Sequence, residues 1–115
     1  MTTDNQAMAL RKADRLLQTI RGQIDRSVSV EVAHAFILVA LNEGASPSEL
    51  AEMAGATKSA MSRYLLDLSE RLRNGDTGRD LLQRVQDPLN MRSVKYILSP
   101  KGKLLKNSIV SLMGD

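Results

Sequence analysis

The sequence predicts a mainly helical α+β domain in which a run of helices is interrupted, toward the C-terminal end, by one two-stranded hairpin. Three observations point there. Leu10, Ala13, Leu17, Ile20 and Ile24 recur at alternating spacings of three and four, the seam of one helical face. Ser46-Pro47 and Ser99-Pro100 each place a capping hydroxyl before a proline, the arrangement that suits a helix start. Residues 93–98 alternate with period two, Val94, Tyr96 and Leu98 on one face and Ser93, Lys95 and Ile97 on the other, as a strand does.

Composition bounds the function. A chain of 115 residues with 43% hydrophobic residues suits a single domain with its own core. There is no cysteine, which excludes disulfides and thiolate metal sites, and no His/Asp/Glu cluster has metal-ligand spacing; no metal or cofactor is expected. Residues 2–6 are polar, and Arg11, Lys12 and Arg15 break up the next ten positions, so no export signal is read. The longest apolar run, residues 35–41, falls short of the ~20 residues a bilayer span needs. The expectation is a soluble cytoplasmic protein without a membrane partner. The net charge of +3 is unevenly spread. Residues 1–56 hold five Lys and Arg against seven Asp and Glu; residues 57–115 hold eleven against six. A basic C-terminal half is the footprint of a polyanion partner.

The chain divides into an N-terminal amphipathic helix (1–27), a central core (28–100) and a C-terminal helix (101–115). The first helix is expected over residues 5–26. Its seam is too short for a self-sufficient coiled coil, so it packs on its own domain or on a second chain. A second helix starts at Ser27 or Ser29 and is apolar on nearly every side from Val30 to Leu41, which predicts a post buried all round; a buried strand is the competing reading. Asn42, Glu43 and Gly44 end it. His34, the only histidine, sits in this helix and is read as a packed or surface group.

Ser46-Pro47-Ser48-Glu49 opens a third helix through a capping box, and Gly55 supplies the left-handed residue that ends it. Thr57 then caps a fourth helix, expected from Lys58 to about Arg71. Two helices joined by a short Gly-containing turn form a helix-turn-helix unit. Ala51 is small where the helices cross, and Leu50, Ala54, Ala56, Met61, Tyr64, Leu65 and Leu68 face inward. That leaves Thr57, Lys58, Ser59, Ser62 and Arg63 on the outer face near the helix start, where a recognition helix meets base edges and phosphates. Beyond the polar connection 73–79, a strand is expected over residues 80–86, a turn over 87–92 and a second strand over 93–98. A hairpin after a helix-turn-helix is a wing. Arg84, Arg92 and Lys95 would bring positive charge to it, and Asn90 joins them as a candidate DNA contact. After Ser99-Pro100, Leu105, Ile109 and Leu112 form one stripe of a last helix.

On these residues the chain resembles the MarR family of winged helix-turn-helix transcriptional regulators, over residues 30–109. The resemblance rests on Ser46-Pro-Ser-Glu-Leu-Ala-Glu-Met-Ala-Gly, on Thr57-Lys-Ser-Ala-Met-Ser-Arg, on the wing Asp87-Pro-Leu-Asn-Met-Arg92, and on Leu98-Ser-Pro-Lys-Gly102 before the C-terminal helix. It implies a homodimer joined by its terminal helices (Leu10, Ala13, Leu17, Ile20, Ile24, Leu105, Ile109, Leu112) on a palindromic operator. It also implies that Lys58, Ser59, Ser62 and Arg63 read the groove and that Arg92 is the wing arginine. The sequence departs from the family at Asn90, where relatives carry Asp, in a longer connection at 73–79 and in a short chain. No ligand sensing is carried over.

Catalysis finds no support. Ser59 and Ser62 lack a neighbouring base, Glu49 and Glu52 lie one turn apart as surface carboxylates do, and Asn74 to Gly78 lacks the residues of a phosphate loop. The expected function is a sequence-specific double-stranded DNA-binding regulator, a repressor by obstruction. The alternatives are a winged-helix protein-interaction module and an architectural or mobile-element DNA-binding protein. RNA is a weaker rival, because Tyr64 and Tyr96 read as inward-facing.

Overall fold

The computed structural model describes residues 4–69 and 79–114, apart from the side chains of Met91 and Arg92. Among the described residues, five helices and one hairpin run in the order α1 (Asp4–Gln23), α2 (Val30–Leu41), α3 (Pro47–Ala54), α4 (Lys58–Leu68), β1 (Leu82–Asp87), β2 (Asn90–Leu98) and α5 (Pro100–Met113). The expected winged helix-turn-helix, mainly helical with a two-stranded wing, is the fold observed. No helix of the described residues is long and apolar enough to cross a membrane.

Local signals set the helix starts. The Ser29 hydroxyl accepts the Val32 amide and Thr57 Oγ1 accepts the Ala60 amide at 3.0 Å, satisfying donors that a helix N-terminus leaves orphaned. The capping box of α3 is complete: the Ser46 hydroxyl accepts the Glu49 amide and the Glu49 carboxylate accepts the Ser46 amide, both at 3.2 Å. Gly55, at φ 67° and ψ 29°, ends α3, and its amide donates to Ala51 and Glu52. Three-dimensional packing then adds what the local signals do not show. Leu50, Met61, Leu65 and Leu68 close the helix-turn-helix around Phe36 and Val39 of α2, and Leu81, Leu82, Leu98 and Leu105 extend the same core under the hairpin.

Four expectations shift. First, α2 is not buried all round. Val32, Ala35, Phe36 and Val39 are buried, but Val30, His34 and Leu41 are exposed, because one protomer covers only one side of the helix. Second, α4 ends at Leu68 and not near Arg71: Ser69 leaves the helix in an extended conformation, its hydroxyl donates to the Leu65 carbonyl at 2.7 Å, and it bridges to Leu82. Third, the first strand starts at Leu82, since Asp80 takes a left-handed φ of 58° and the Leu81 amide donates back to Leu68. Fourth, the wing turn is tighter than residues 87–92. Asp87 pairs with Asn90 across Pro88 and Leu89, after a register shift at Gln86/Asp87. The connection at residues 73–78 lies outside the described residues.

The base of the hairpin is fastened. The Ser99 hydroxyl donates to the Asp80 carbonyl at 2.6 Å and accepts the Gly102 amide at 2.9 Å, while the Ser99 amide donates to Leu81. Gly102 packs directly on the Leu81 carbonyl, where a Cβ would collide with its oxygen. This close approach is the physical reason for glycine in the Ser-Pro-Lys-Gly stretch. The other edge of β2 is also used: the Gly44 amide donates to the Tyr96 carbonyl at 2.9 Å and the Tyr96 amide to Ala45 at 3.2 Å. The loop before α3 is thereby tied to the wing.

Candidate nucleic-acid interface

The fourth helix and the hairpin present their polar groups to one shared cleft. Its volume is about 610 Å³, and it runs between the start of α3 (Ser46, Ser48), the outer face of α4 (Lys58, Ser62) and the wing (Arg84, Ser93). Lys58, Ser59 and Arg63 are exposed along α4, and Ser62 is half-buried at the cleft wall. Thr57 is exposed too, with a hydroxyl lone pair occupied by the Ala60 amide, so it also positions the start of the helix. The helix begins at the cleft, which places its orphan amides and partial positive charge beside Lys58.

The wing contributes from its stem. Arg84 of β1 stands opposite Tyr96 of β2, and Val85 opposite Lys95. Tyr96 is buried, and burial pushes its phenol above the ordinary value, opposed by the Arg84 charge and by hydrogen bonds with Ser69 and Arg84. The tyrosine is thus a neutral platform that holds the Arg84 guanidinium at the cleft. Lys95 is exposed on the other face. The backbone and side-chain hydrogen bonds of Ser46 hold the Glu49 carboxyl below its usual range, with a further contribution from the Lys95 charge. This acid at the start of α3 is therefore committed to the helix cap. Asn90 lies on β2 at the wing tip, and Arg92 is two residues further along, its side chain outside the described residues.

The structure brings together Lys58, Ser62 and Arg84 and sets Ser59 and Arg63 along the same helix. The residues expected at a dimer contact separate into two groups. Ile20, Ile24 and Leu105 are buried in the protomer's own core, with Ile109 packed against it. Leu10 and Leu17, 64% and 58% exposed, and Ala13 remain open on α1, and Leu112 lines a groove between α1 and α5. Sequence reasoning missed Arg79. Its guanidinium pairs with Asp25 at 2.8 Å, lies 3.8 Å from Asp67 and donates to the Ile24 carbonyl at 3.3 Å, joining the end of α1 to the end of α4. Only the sign of its charge is visible in sequence; the two acids it meets are 54 and 12 positions away. Among the described residues no group of three His, Asp or Glu side chains could hold a metal ion.

Comparison with solved structures decides the fold. A mutant of S. aureus MepR bound to an oligodeoxyribonucleotide superposes with a TM-score of 0.69 at 17% identity, covering 94% of this chain and 72% of that one. The transcriptional repressor CouR, bound to a 23-mer DNA duplex, gives 0.65 at 21% identity over 92% and 67%. A MarR family transcription regulator gives 0.62 at 22% identity over 94% and 70%. The fold is the MarR fold. No family model matches the sequence, and no curated protein matches it either. At such identities the likeness lies in the backbone, so the MarR-type arrangement of helix-turn-helix and wing is common ground while the side chains at the cleft are this chain's own.

Proposed function

We propose that this protein is a sequence-specific double-stranded DNA-binding transcriptional regulator. The observation that carries the reading is the convergence of Lys58, Ser62 and Arg84 on one cleft, with Ser59 and Arg63 beside them on α4. A helix with small polar and basic residues on its outer face enters the major groove, and a basic wing beside it follows the backbone into the flanking minor groove. MepR and CouR, which share the fold, were seen bound to DNA. In the proposed mechanism a homodimer uses Leu10, Ala13 and Leu17 of α1 with the outer stripe of α5. It sets two α4 helices in successive major grooves about 34 Å apart on a palindromic site. Occupying a promoter in this way obstructs transcription.

Selection of bound sequences from a random duplex pool tests this, run with the wild type and with Lys58→Ala/Arg63→Ala. A palindromic motif is expected for the wild type and none for the double variant. The log–log salt slope on the selected duplex should fall by about 0.9 for each phosphate contact removed. Equal, motif-free binding by both proteins would overturn the proposal in favour of a protein-interaction module.

A further inference from the structure

The wing ends in an exposed leucine that the turn does not require. Leu89 is 96% exposed, the most exposed of the large hydrophobic side chains among the described residues. The turn is already specified by its neighbours. Pro88 presets its own φ, Asp87 pairs with Asn90 across the turn, and the Asp87 carboxylate accepts the Leu89 amide at 2.9 Å. Small polar residues serve such a position, and a leucine there buries nothing within the protomer. The same proline and hydrogen bond hold the Leu89 backbone in place, so presenting the side chain costs little additional ordering.

We infer that Leu89 is an apolar wedge that the wing inserts at a base step of the minor groove flanking the site read by α4; the inference rests on the DNA-binding reading above. Charge selects the occupant. The stem below the tip exposes Arg84 and Lys95, and Arg84 shares the cleft of Lys58 and Ser62. The six residues of β1 carry the tip roughly 20 Å from the fastened base, at about 3.3 Å per residue. A surface so charged approaches a polyanion, and on a duplex the place where an isolated apolar tip gains contact is between base pairs reached through the minor groove. Side chains of this kind part a base step and kink the helix there, most readily at flexible pyrimidine–purine steps. A protein-docking surface would instead offer a contiguous apolar patch. Among the described side chains around Leu89, the exposed Pro88 belongs to the turn itself and the other exposed neighbours, Gln86 and Asn90, are polar.

The test uses the duplex recovered in the selection above, with 2-aminopurine placed in turn at each flanking step, and the intact protein as wild type, Leu89→Asn and Leu89→Phe. Wild type and Leu89→Phe should raise the fluorescence at one flanking step on each side and shorten the end-to-end distance of a dye-labelled duplex. Leu89→Asn should abolish both signals and weaken binding about tenfold, the size of one lost apolar contact to the bases, without changing the salt slope. Binding by Leu89→Asn with unchanged affinity and an unchanged fluorescence rise would overturn the wedge while leaving the regulator reading intact. A drop in sedimentation mass on Leu89→Asn, without a fluorescence signal in the wild type, would also overturn it and place the leucine in a protein contact. If the wild type selects no duplex, the DNA-binding reading itself fails and the wedge falls with it.

Discussion

The helix-turn-helix and the first helix use the same residue types to opposite ends. In α3 and α4 the apolar positions Leu50, Met61, Leu65 and Leu68 are all buried by the protomer itself. In α1, twenty residues long, Ile20 is the only buried residue, while Met8, Leu10 and Leu17 are exposed. The molecule measures 55 × 27 × 23 Å, and a helix of twenty residues accounts for about 30 Å of such a length. One region is stabilised by its own chain. The other carries an apolar stripe whose first half finds no cover in it. An amphipathic pattern therefore reports that a face will be covered, not which molecule covers it.

Four measurements sharpen that contrast, ordered by their effect on the protomer. Leu50→Ala removes a fully buried side chain at the α3–α4 crossing and should cost about 2–5 kcal/mol in urea unfolding. Ser99→Ala leaves the Asp80 carbonyl and the Gly102 amide without their shared hydroxyl, for a loss of about 1–3 kcal/mol by the same assay. Leu10→Asp/Leu17→Asp should change protomer stability by no more than about 0.5 kcal/mol, as exposed substitutions do. It should nevertheless halve the sedimentation mass if α1 is the dimer surface; a large loss of protomer stability would show that α1 belongs to the core after all. Ile20 is unsuited to that experiment, being buried in the protomer's own core.

The smallest effect concerns pH. The Ser27 amide, then the Arg79 guanidinium, hold the Asp25 carboxyl below its ordinary value of 3.8. A carboxyl depressed in the folded state stabilises above its unfolded value, and the contribution is lost as pH falls through the folded one. Arg79→Ala should therefore lie below wild type in urea midpoint at about pH 6, with the gap narrowing below the unfolded value near 3.8. A gap independent of pH would mean that Arg79 acts through packing and not through this pair.

Whatever depends on a few neighbouring residues is legible in the sequence. The caps at Ser46, Thr57 and Ser99, the left-handed Gly55 and the period-two stretch around Tyr96 are local, and they locate α3, α4, β2 and α5 together with the exposed face of α4. Long-range closure is not legible. Residues 44 and 45 pair with Tyr96 across half the chain, and no pattern near Gly44 announces that bond. The seam of α1 reads as one face, yet Ile20 and Ile24 join the core while Leu10 and Leu17 do not, because the body of the protomer meets only the end of the helix. Sequence patterning starts β1 too early because the positive φ of Asp80 depends on the fastening at Ser99, nineteen positions away.

That fastening makes the wing a cassette. Chain entering at Asp80 and leaving at Ser99 is locked to a single point, with Gly102 resting on the Leu81 carbonyl. Lengthening or rebuilding the hairpin at residues 88–89 leaves the lock and the helical body unchanged, since exposed tips are where chains accept insertions. The distance from body to tip is thus a dimension of this protein that can drift or be engineered separately from the helix that lies beside it.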